Sequence, residues 1–198
     1  MSIQQRFQQA NGMTIQQRFQ QANGILEKAD LLFDEATCRA ALERMAEEIT
    51  ADLADQYPLL LPVMGGAVVF TGQLLPLLRF PLDFDYVHVS RYGSELSGSV
   101  QLNWLRAPQN SVEGRHVLVL DDILDEGHTM AAIHKQVMEM GAASCRTAVF
   151  ANKDINRPKP ITADYVGIHV PNRYVFGYGM DASGMWRNLG AIYALADK

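Results

Sequence analysis

The stretch VLVLDDILDEGHTM, residues 117–130, joins an uninterrupted apolar run to two consecutive carboxylates, Asp121 and Asp122. A strand that is buried on both faces of a parallel sheet has such an apolar run. A short loop, residues 125–129, then leads into a segment whose apolar residues recur at helical spacing. In open α/β sheets, ligands bind beyond the carboxyl ends of the strands. We therefore expect a ligand site at this loop.

The chemistry of the loop favours a phosphate ligand. The beginning of a helix presents unpaired backbone N–H groups and the positive end of the helix dipole, and both attract anions. Gly127 lets the backbone approach an anion closely, and Thr129 adds a hydroxyl donor. Asp121 and Asp122 suit either the hydroxyls of a ribose or Mg²⁺ that keeps its waters. The plainer alternative is that the acidic pair only ends a strand and that Gly127 only turns the chain.

Two common nucleotide-binding fingerprints are missing from this stretch. It has neither the P-loop pattern nor the glycine pattern of dinucleotide-binding proteins, which argues against nucleoside triphosphates and dinucleotides as ligands.

The flanking sequence predicts strands and helices in alternation. Asp34 can cap a helix with one apolar face, and Tyr57-Pro58 ends it, because a residue before proline avoids helical geometry. Alternating strands and helices predict one α/β domain with a mostly parallel sheet flanked by helices. The other predicted elements are strands over residues 59–64, 84–90, 99–105, 116–120, 146–150 and 165–170, and helices over residues 67–79 and 129–140.

The chain begins with a duplication. Residues 1–12 and 13–24 are identical at eleven of twelve positions, and each copy begins with Met. Two copies are too few for a solenoid, which needs at least three stacked units. We interpret residues 1–12 as an extra N-terminal segment and expect residues 13–198 to form the single domain.

Composition and charge exclude several classes of protein. The 198 residues are 48% hydrophobic and 20% charged, which is typical of a globular domain. No apolar run approaches the roughly 20 residues of a membrane span, and no signal peptide begins the chain, so we expect no membrane and a cytoplasmic location. Cys38 and Cys145, 107 positions apart, are expected to be buried thiols rather than a disulfide.

The charge distribution suits a small anionic ligand better than a nucleic acid. Residues 1–145 carry ten Lys and Arg against eighteen Asp and Glu, and residues 146–198 carry seven against four. A basic C-terminal part on an acidic body can attract an anionic small molecule, or it can simply be a solvated face. The net charge of −5 speaks against a nucleic-acid partner.

The stretch 117–130 resembles the phosphoribosyl-pyrophosphate (PRPP) motif of the type I phosphoribosyltransferases. Residues 31–195 are similar in particular to the hypoxanthine-guanine phosphoribosyltransferases. The landmarks that occur in the family's order are Val63-Met64-Gly65-Gly66, Arg91-Tyr92-Gly93, the loop after Asp121-Asp122, Lys153, and YVFGYGMD with WRNL within residues 174–189.

The resemblance implies a fold and an activity. The fold is a central mostly parallel sheet flanked by helices, with a small hood formed from N- and C-terminal segments. The activity is purine salvage, in which the 5-phosphoribosyl group moves from PRPP to hypoxanthine or guanine and gives IMP or GMP and pyrophosphate. The implied cofactor is Mg²⁺, and the implied assembly is a homodimer or homotetramer.

The resemblance also implies how PRPP is held. In the family, the turn after the central strand holds the 5-phosphate, the acidic pair holds the ribose hydroxyls directly or through Mg²⁺, and a glycine loop and an arginine hold the pyrophosphate. The matching residues are Gly65, Gly66, Asp121, Asp122, Asp125, Glu126, Gly127, His128, Thr129 and Arg187 for PRPP, Asp121, Asp122 and Asp181 for Mg²⁺, and Arg91, Tyr92 and Gly93 for the mobile lid.

The same resemblance assigns four residues to purine binding and a fifth residue to the role of general base. Lys153 matches the lysine that donates to the 6-oxo group, and an ammonium, being only a donor, disfavours the 6-amino group of adenine. Tyr174 matches the aromatic residue that stacks on the purine, while Val175 and Asp181 lie near its edge. Asp125 matches the carboxylate that accepts a proton at purine N7.

Three positions depart from the family pattern. Glu126 stands where a small hydroxyl residue is usual, so we expect its side chain to point away from the phosphate. His128 occupies a position that is often basic, and Met64 replaces a lysine of the animal enzymes.

Three other functions are open at this point. An enzyme of the family can prefer xanthine or another 6-oxopurine, because the geometry that reads the 2-position is not fixed by sequence spacing. Some proteins of this fold are RNA-binding regulators that sense nucleotides, but such a regulator should have a basic face. A purely structural protein would have no reason to keep five ordered landmarks.

Overall fold

The computed structural model of the chain describes residues 12–92 and 101–196. Within these residues, strands and four α-helices are mixed along the chain, and the strands form two sheets. The elements are α1 (Ile15–Glu27), β1 (Asp30–Phe33), α2 (Glu35–Leu53), β2 (Leu59–Met64), α3 (Val68–Leu74), β3 (Asp83–Phe84), β4 (Val87–Tyr92), β5 (Gln101–Arg106), β6 (His116–Leu124), α4 (His128–Glu139), β7 (Ser144–Asp154), β8 (Tyr165–Pro171), β9 (Val175–Phe176) and β10 (Ile192–Ala194).

The main sheet has the strand order β5-β4-β2-β6-β7-β8, with β3 paired to β2 beside this path. Only the β4–β5 pair is antiparallel, and all other pairs are parallel. The apolar run that begins residues 117–130 is the strand β6 at the centre of the sheet, between β2 and β7. The predicted mostly parallel sheet is confirmed.

A second, small sheet joins the two ends of the described chain. Its strand order is β1-β10-β9, and both pairs are antiparallel. Residues from the N-terminal side and from the C-terminal side therefore form one hood, as the family resemblance implies.

Helices cover both faces of the main sheet, and successive residues of a strand point to opposite faces, so β6 contributes to two cores. Leu118 and Leu120 of β6 pack in the core under α2 and α3. Val117 and Val119 pack in a second core under α4. Because helices cover both faces of this apolar strand, the loop after β6 lies at the carboxyl end of the sheet, where a ligand can reach it.

The helix α2 is the clearest match to the sequence. Asp34 is its N-cap, and its carboxylate accepts a hydrogen bond from the Thr37 backbone N–H at 2.8 Å. A 3₁₀ turn, Ala54–Gln56, follows Leu53, and Tyr57 has a positive φ of 46° immediately before Pro58. The helical segment with its 3₁₀ turn ends before Tyr57-Pro58, as predicted, but the α-helix itself ends earlier, at Leu53.

Several predicted boundaries are wrong. The helix expected over residues 67–79 is α3 alone, followed by a 3₁₀ turn at Leu75–Leu77, because Pro76 has no N–H to continue the α-helix. The strand expected over residues 84–90 is two strands, β3 and β4. The strand expected over residues 116–120 continues to Leu124, so Asp121 and Asp122 lie within β6 rather than beyond its end. The strand expected over residues 99–105 is β5, which ends at Arg106 and pairs with β4; residues 99–100 lie outside the described residues.

Helix α1 was not predicted, although its N-terminus has a clear signal. Thr14 and Gln17 form a capping box, with the Thr14 hydroxyl accepting from the Gln17 N–H at 3.2 Å and the Gln17 side chain accepting from the Thr14 N–H at 2.8 Å. The second copy of the repeat is thus mostly helical, whereas residues 1–11 of the first copy lie outside the described residues.

Asp85 causes the break between β3 and β4. Its buried carboxylate accepts backbone N–H donors from Tyr86, Gln109 and Asn110 at 2.8, 2.5 and 2.9 Å, and Arg106 lies 3.1 Å away. Burial alone would raise the pKa of Asp85, but the three N–H donors and the guanidinium outweigh it and hold the pKa below its usual value.

We expect Asp85→Asn to lower the free energy of unfolding at pH 7 by about 2 kcal/mol, since hydrogen bonds to a charged group are the strong ones. A carboxyl whose folded-state pKa is depressed stabilises the fold above its unfolded pKa of about 3.9, and this contribution is lost as pH falls through the folded pKa. Urea denaturation at pH 7 and pH 3 should therefore show a larger difference from wild type at the first pH than at the second. Asp55→Asn, at an exposed position, is the control; an equal loss at both pH values would contradict the role of the charge.

Two of the expectations from composition can be compared with the described residues. Across residues 12–92 and 101–196, none of the helices combines the length and the hydropathy that crossing a membrane would require. Cys38 and Cys145 are buried and unpaired, as expected. Burial raises the pKa of Cys38 to about 11 and that of Cys145 to about 12, so both are neutral thiols at physiological pH.

Candidate functional site

A cleft of about 680 Å³ opens at the carboxyl ends of β2, β6 and β7, between the main sheet and the hood. This is the edge at which the sequence predicts a ligand. The predicted site residues that line it are Gly65, Gly66, Asp121, Asp122, Asp125, Gly127, Thr129, Lys153, Tyr174, Val175, Asp181 and Arg187.

The acidic pair lies at the floor of the cleft, where the Asp121 and Asp122 side chains are close enough to interact. The Asp122 N–H donates to Asp121 Oδ1 at 2.9 Å. Asp122 is only 8% exposed, and burial raises the pKa of its carboxyl, against the lowering effect of Asp121 and of Arg187. Asp121 is the more exposed of the two.

Two glycines allow the walls of the cleft to come together at Asp122. A side chain at Gly66 would overlap the Asp122 carboxyl group. Gly179 of the hood has a φ of +106°, and a side chain there would overlap the Gly66 carbonyl oxygen. The turn after β2, the strand β6 and the hood therefore touch at one point, and only glycine fits at the two contact positions.

Arg187 connects the hood to this floor. Its Nη1 donates to the Gly179 carbonyl oxygen at 2.7 Å, and its Nη2 lies 2.5 Å from Asp181 Oδ1. Nη1 also lies 3.8 Å from Asp122 Oδ2. The side chain of Arg187 is 40% exposed, so its planar fork can still meet an anion that enters the cleft.

Asp125 and Lys153 form an ion pair at the ends of the two central strands. Leu124 of β6 and Asn152 of β7 are paired in register, so the next residue on each strand reaches the same edge. The Lys153 ammonium lies 2.6 Å from Asp125 Oδ2, and both side chains line the cleft. A proton acceptor and a hydrogen-bond donor are thus available side by side.

The turn between β6 and α4 contains the glycine and the helix start on which the sequence prediction of a phosphate site rests. Gly127 is the N-cap of α4 with a φ of +83°, and its carbonyl accepts from the Ala131 N–H at 2.9 Å. Thr129 lines the cleft within the first turn of α4. The side chain of Glu126 instead pairs with Arg157, as expected for a carboxylate that avoids a phosphate, and the side chain of His128 is exposed and does not line the cleft.

The hood supplies the wall opposite the turn. Tyr174 is 53% exposed, and its hydroxyl donates to the Asp181 carbonyl oxygen at 3.1 Å. Val175 and Met180 also line the cleft. A half-exposed aromatic ring beside apolar side chains can stack on a planar ring.

The predicted lid residues are not among the described side chains, and several residues that line the cleft were not predicted. Gly93 of the expected lid lies outside the described residues, and Arg91 and Tyr92 are described only as backbone at the end of β4. His88 lies opposite Met64 in the parallel β2–β4 register, which is the signal that could have placed it here. The lining residues that sequence reasoning did not assign are Val63, Met64, His88, Val89, Ile123, Leu124, Met130 and Met180.

The carboxylates of the cleft suit a metal ion that is bound jointly by the protein and a ligand. They are too few for a metal ion that is bound by protein side chains alone. Within the two described ranges no group of three or more His, Cys, Asp or Glu side chains could hold a metal ion. Mg²⁺ characteristically binds through one or two carboxylates, waters and substrate phosphates, for which Asp121 and Asp122 suffice. Both oxygens of Asp181 already have partners, Arg187 and the Gly184 N–H at 2.6 Å, so Asp181 would contribute only remaining lone pairs.

Comparison with known proteins gives consistent relatives. A family described as the phosphoribosyl transferase domain matches residues 30–183. The hypoxanthine-guanine phosphoribosyltransferase of Bacillus subtilis is 31% identical over 165 residues, 83% of this chain and 92% of that protein. The hypoxanthine-guanine-xanthine phosphoribosyltransferase of Tritrichomonas foetus is 33% identical over 169 residues, 84% of this chain and 91% of that protein.

The length of the match differs among relatives, and the fold is shared with solved structures. The chain spans 25% of the bifunctional protein TilS/HprT of Listeria innocua, to which it is 33% identical over 162 residues. A variant of the Trypanosoma cruzi hypoxanthine phosphoribosyltransferase, solved as a ternary substrates complex, superimposes with a TM-score of 0.80 at 32% identity and covers 86% of this chain and 97% of that one.

Proposed function

Since the chain belongs to the phosphoribosyl transferase family, we propose that it is a purine salvage enzyme that transfers the 5-phosphoribosyl group of PRPP to hypoxanthine or guanine. The products are IMP or GMP and pyrophosphate. The observation that carries this proposal is the Asp125–Lys153 pair, 2.6 Å apart, between a phosphate-binding turn and a half-exposed aromatic side chain.

The cleft has a place for each part of PRPP. The turn of residues 125–129, with α4 behind it, offers backbone N–H groups and the Thr129 hydroxyl to the 5-phosphate. Asp121 and Asp122 on the neighbouring floor suit the ribose hydroxyls. The Gly65-Gly66 turn and the Arg187 guanidinium lie on the other side of Asp122, where the pyrophosphate would extend.

The purine fits between the hood and the ends of β6 and β7. Lys153 is 12% exposed, and its ammonium can donate to a 6-oxo oxygen but cannot accept from a 6-amino group. Tyr174 can stack on the ring, and the backbone of Val175 can contact its edge. Asp125 lies beside Lys153, next to the N7 of a purine held in this way.

The chain's own residues support catalysis by position and charge. N9 of the purine attacks C1 of the ribose, and the bond from C1 to pyrophosphate breaks with its electron pair on the leaving oxygen. Arg187 stabilises the negative charge on that leaving group, and the Asp125 carboxylate accepts the proton from N7. When bound, Mg²⁺ would be held by Asp121 and Asp122, with Asp181 nearby, and would neutralise pyrophosphate charge.

Exclusion of water from the reaction is assigned to the lid. Residues Arg91, Tyr92 and Gly93 occupy the family's lid position, and a lid that closes would keep water from competing with the purine. This part of the proposal stays a prediction from the sequence.

The substrate panel is the experiment that tests the proposed function. With PRPP and Mg²⁺, we expect turnover of hypoxanthine and guanine, and a kcat/KM for adenine lower by about two orders of magnitude or more, because the Lys153 ammonium would face a donor. A spectrophotometric assay of the four bases, with xanthine included, measures this. Turnover of adenine alone would contradict the role of Lys153.

Xanthine is the second candidate substrate. The 33% identity to an enzyme named for hypoxanthine, guanine and xanthine supports it. A kcat/KM for xanthine above that for hypoxanthine in the same assay would establish a xanthine-preferring enzyme.

Three further parts of the proposal concern the whole molecule. We propose that residues 13–198 form the transferase domain. A hydrogen bond from the Trp186 indole N–H to the Ala22 carbonyl of α1, at 2.7 Å, supports this proposal.

The assembly as a homodimer or homotetramer rests on the family resemblance. The two unpaired cysteines support a reducing, cytoplasmic location.

A further inference from the structure

The segment between β7 and β8, residues 155–164, packs against the back of the phosphate-binding turn. A side chain at Gly127 would begin 3.4 Å from both Lys159 Cβ and Pro160 Cδ, and 3.5 Å from Ile161 Cγ2. The backbone of the turn therefore lies directly on residues 159–161. A shift of this segment would move the turn itself.

Lys159 joins the ends of the two central strands behind the site. Its ammonium donates to the Leu124 carbonyl oxygen at 2.7 Å and to Asn152 Oδ1 at 2.6 Å. Leu124 and Asn152 are register partners, and each immediately precedes one member of the Asp125–Lys153 pair. One ammonium thus holds both strand ends at the residues from which the reacting groups project.

The Lys159 ammonium is partly buried beside other charges. Burial lowers its pKa, and the nearby Lys153 ammonium acts in the same direction, while the carboxylates of Asp125 and Asp154 raise it. A partly desolvated cation with two oxygen acceptors has little freedom to leave them.

Arg157 of the same segment forms an ion pair with Glu126, the residue that stands where the family usually has a small hydroxyl residue. A carboxylate in a phosphate-binding turn repels the ligand, and the Arg157 guanidinium pairs with this one. Both side chains are well exposed, so the pair contributes little to stability. Its effect is on the local charge that a phosphate meets.

We propose that residues 155–164 position the phosphate-binding turn, with Lys159 setting the place of Asp125 and Lys153 and Arg157 neutralising Glu126. Lys159 and Arg157 are positioning residues, because neither lines the cleft. The inference rests on the proposed function, for which it identifies supports behind the site.

Lys159→Met tests the first half of the proposal. Met keeps the length and the apolar part of the side chain but removes both hydrogen bonds, and we expect kcat to fall by about 10- to 100-fold because small displacements of reacting groups are costly. Lys159→Arg retains donors and should recover most of this loss. Lys135→Met, at an exposed position on α4, is the matched control. Kinetics of Lys159→Met that equal those of the control would overturn the role of Lys159.

Arg157→Ala tests the second half by charge. We expect KM for PRPP to rise about tenfold with kcat nearly unchanged, and the added substitution Glu126→Gln should reverse the rise, because no carboxylate is then left to repel the phosphate. A merely structural role for Arg157 would not be reversed in this way. An unchanged KM, or a rise that Glu126→Gln does not reverse, would overturn the role of Arg157.

Wild-type enzyme separates this inference from the proposed function. Absence of transfer by wild type with every base would overturn the proposed function. Calorimetric binding of ribose 5-phosphate to wild type, Arg157→Ala and the double variant would then still decide whether the segment controls the phosphate site, with about tenfold weaker binding expected for Arg157→Ala and recovery in the double variant.

Discussion

Asp125→Asn is expected to lower kcat by about two to four orders of magnitude, which is the range that a general base contributes. Asparagine keeps the shape of the side chain and one hydrogen-bond acceptor, but it cannot take the proton from purine N7. Lys153 loses the counter-ion that now lies 2.6 Å from its ammonium, so the KM for the base should also change, but by less than kcat. Steady-state kinetics at saturating PRPP with hypoxanthine measure both constants.

A second carboxylate on the same edge gives the control for this variant. Asp154 follows Lys153 on β7, is exposed and does not line the cleft. Asp154→Asn should therefore keep most of the wild-type rate, which shows that loss of an arbitrary nearby charge is not enough. If Asp125→Asn turned over hypoxanthine at the wild-type rate, Asp125 would not be the base.

The parts of the fold that the sequence predicts well are those set by local pattern. The apolar run of β6 requires burial on both faces, and the structure places it at the sheet centre. The cap at Asp34 is a contact between residues three apart, and it is formed as expected. Such features depend on neighbours along the chain, so they are visible without the fold.

One wrong boundary has a local cause, Pro76 within the helix expected over residues 67–79, whereas two others depend on distant residues. The break between β3 and β4 follows from Asp85, whose carboxylate binds Gln109 and Asn110 more than twenty positions away. The extension of β6 through the acidic pair follows from its register with β7, in which Asp121 pairs with Val149. No pattern within either segment announces these contacts.

The same distinction holds in the candidate site. The residue types came from a family resemblance, and the structure brings most of them to one cleft. The contact of Gly66 and Gly179 at Asp122 was not foreseen, since it joins three separate parts of the chain. Lys159 was not foreseen either, because its acceptors Leu124 and Asn152 lie 35 and 7 positions away, on two different strands.

Arg187→Met is expected to raise the KM for PRPP by about 10²-fold, because removal of a hydrogen-bonded charge leaves its acidic partners unpaired at an anion site. The guanidinium now lies 2.5 Å from Asp181 and 3.8 Å from Asp122. Without it, burial raises the pKa of Asp122 further, since the nearby positive charge no longer opposes that effect. KM for PRPP and for hypoxanthine, measured separately, should show that the first rises far more than the second.

Stability measurements separate the electrostatic effect of Arg187 from loss of packing. A carboxyl whose folded-state pKa is raised costs stability as pH rises through that pKa, so the deficit of Arg187→Met in urea denaturation should be larger at pH 8 than at pH 5. Arg39→Met, at an exposed position on α2, should show no such difference.

Arg187→Lys keeps the charge without the planar fork, and we expect its KM for PRPP to lie between that of wild type and that of Arg187→Met. A KM for PRPP that stayed at the wild-type value in Arg187→Met would exclude this guanidinium from the pyrophosphate site, whatever the effect on stability.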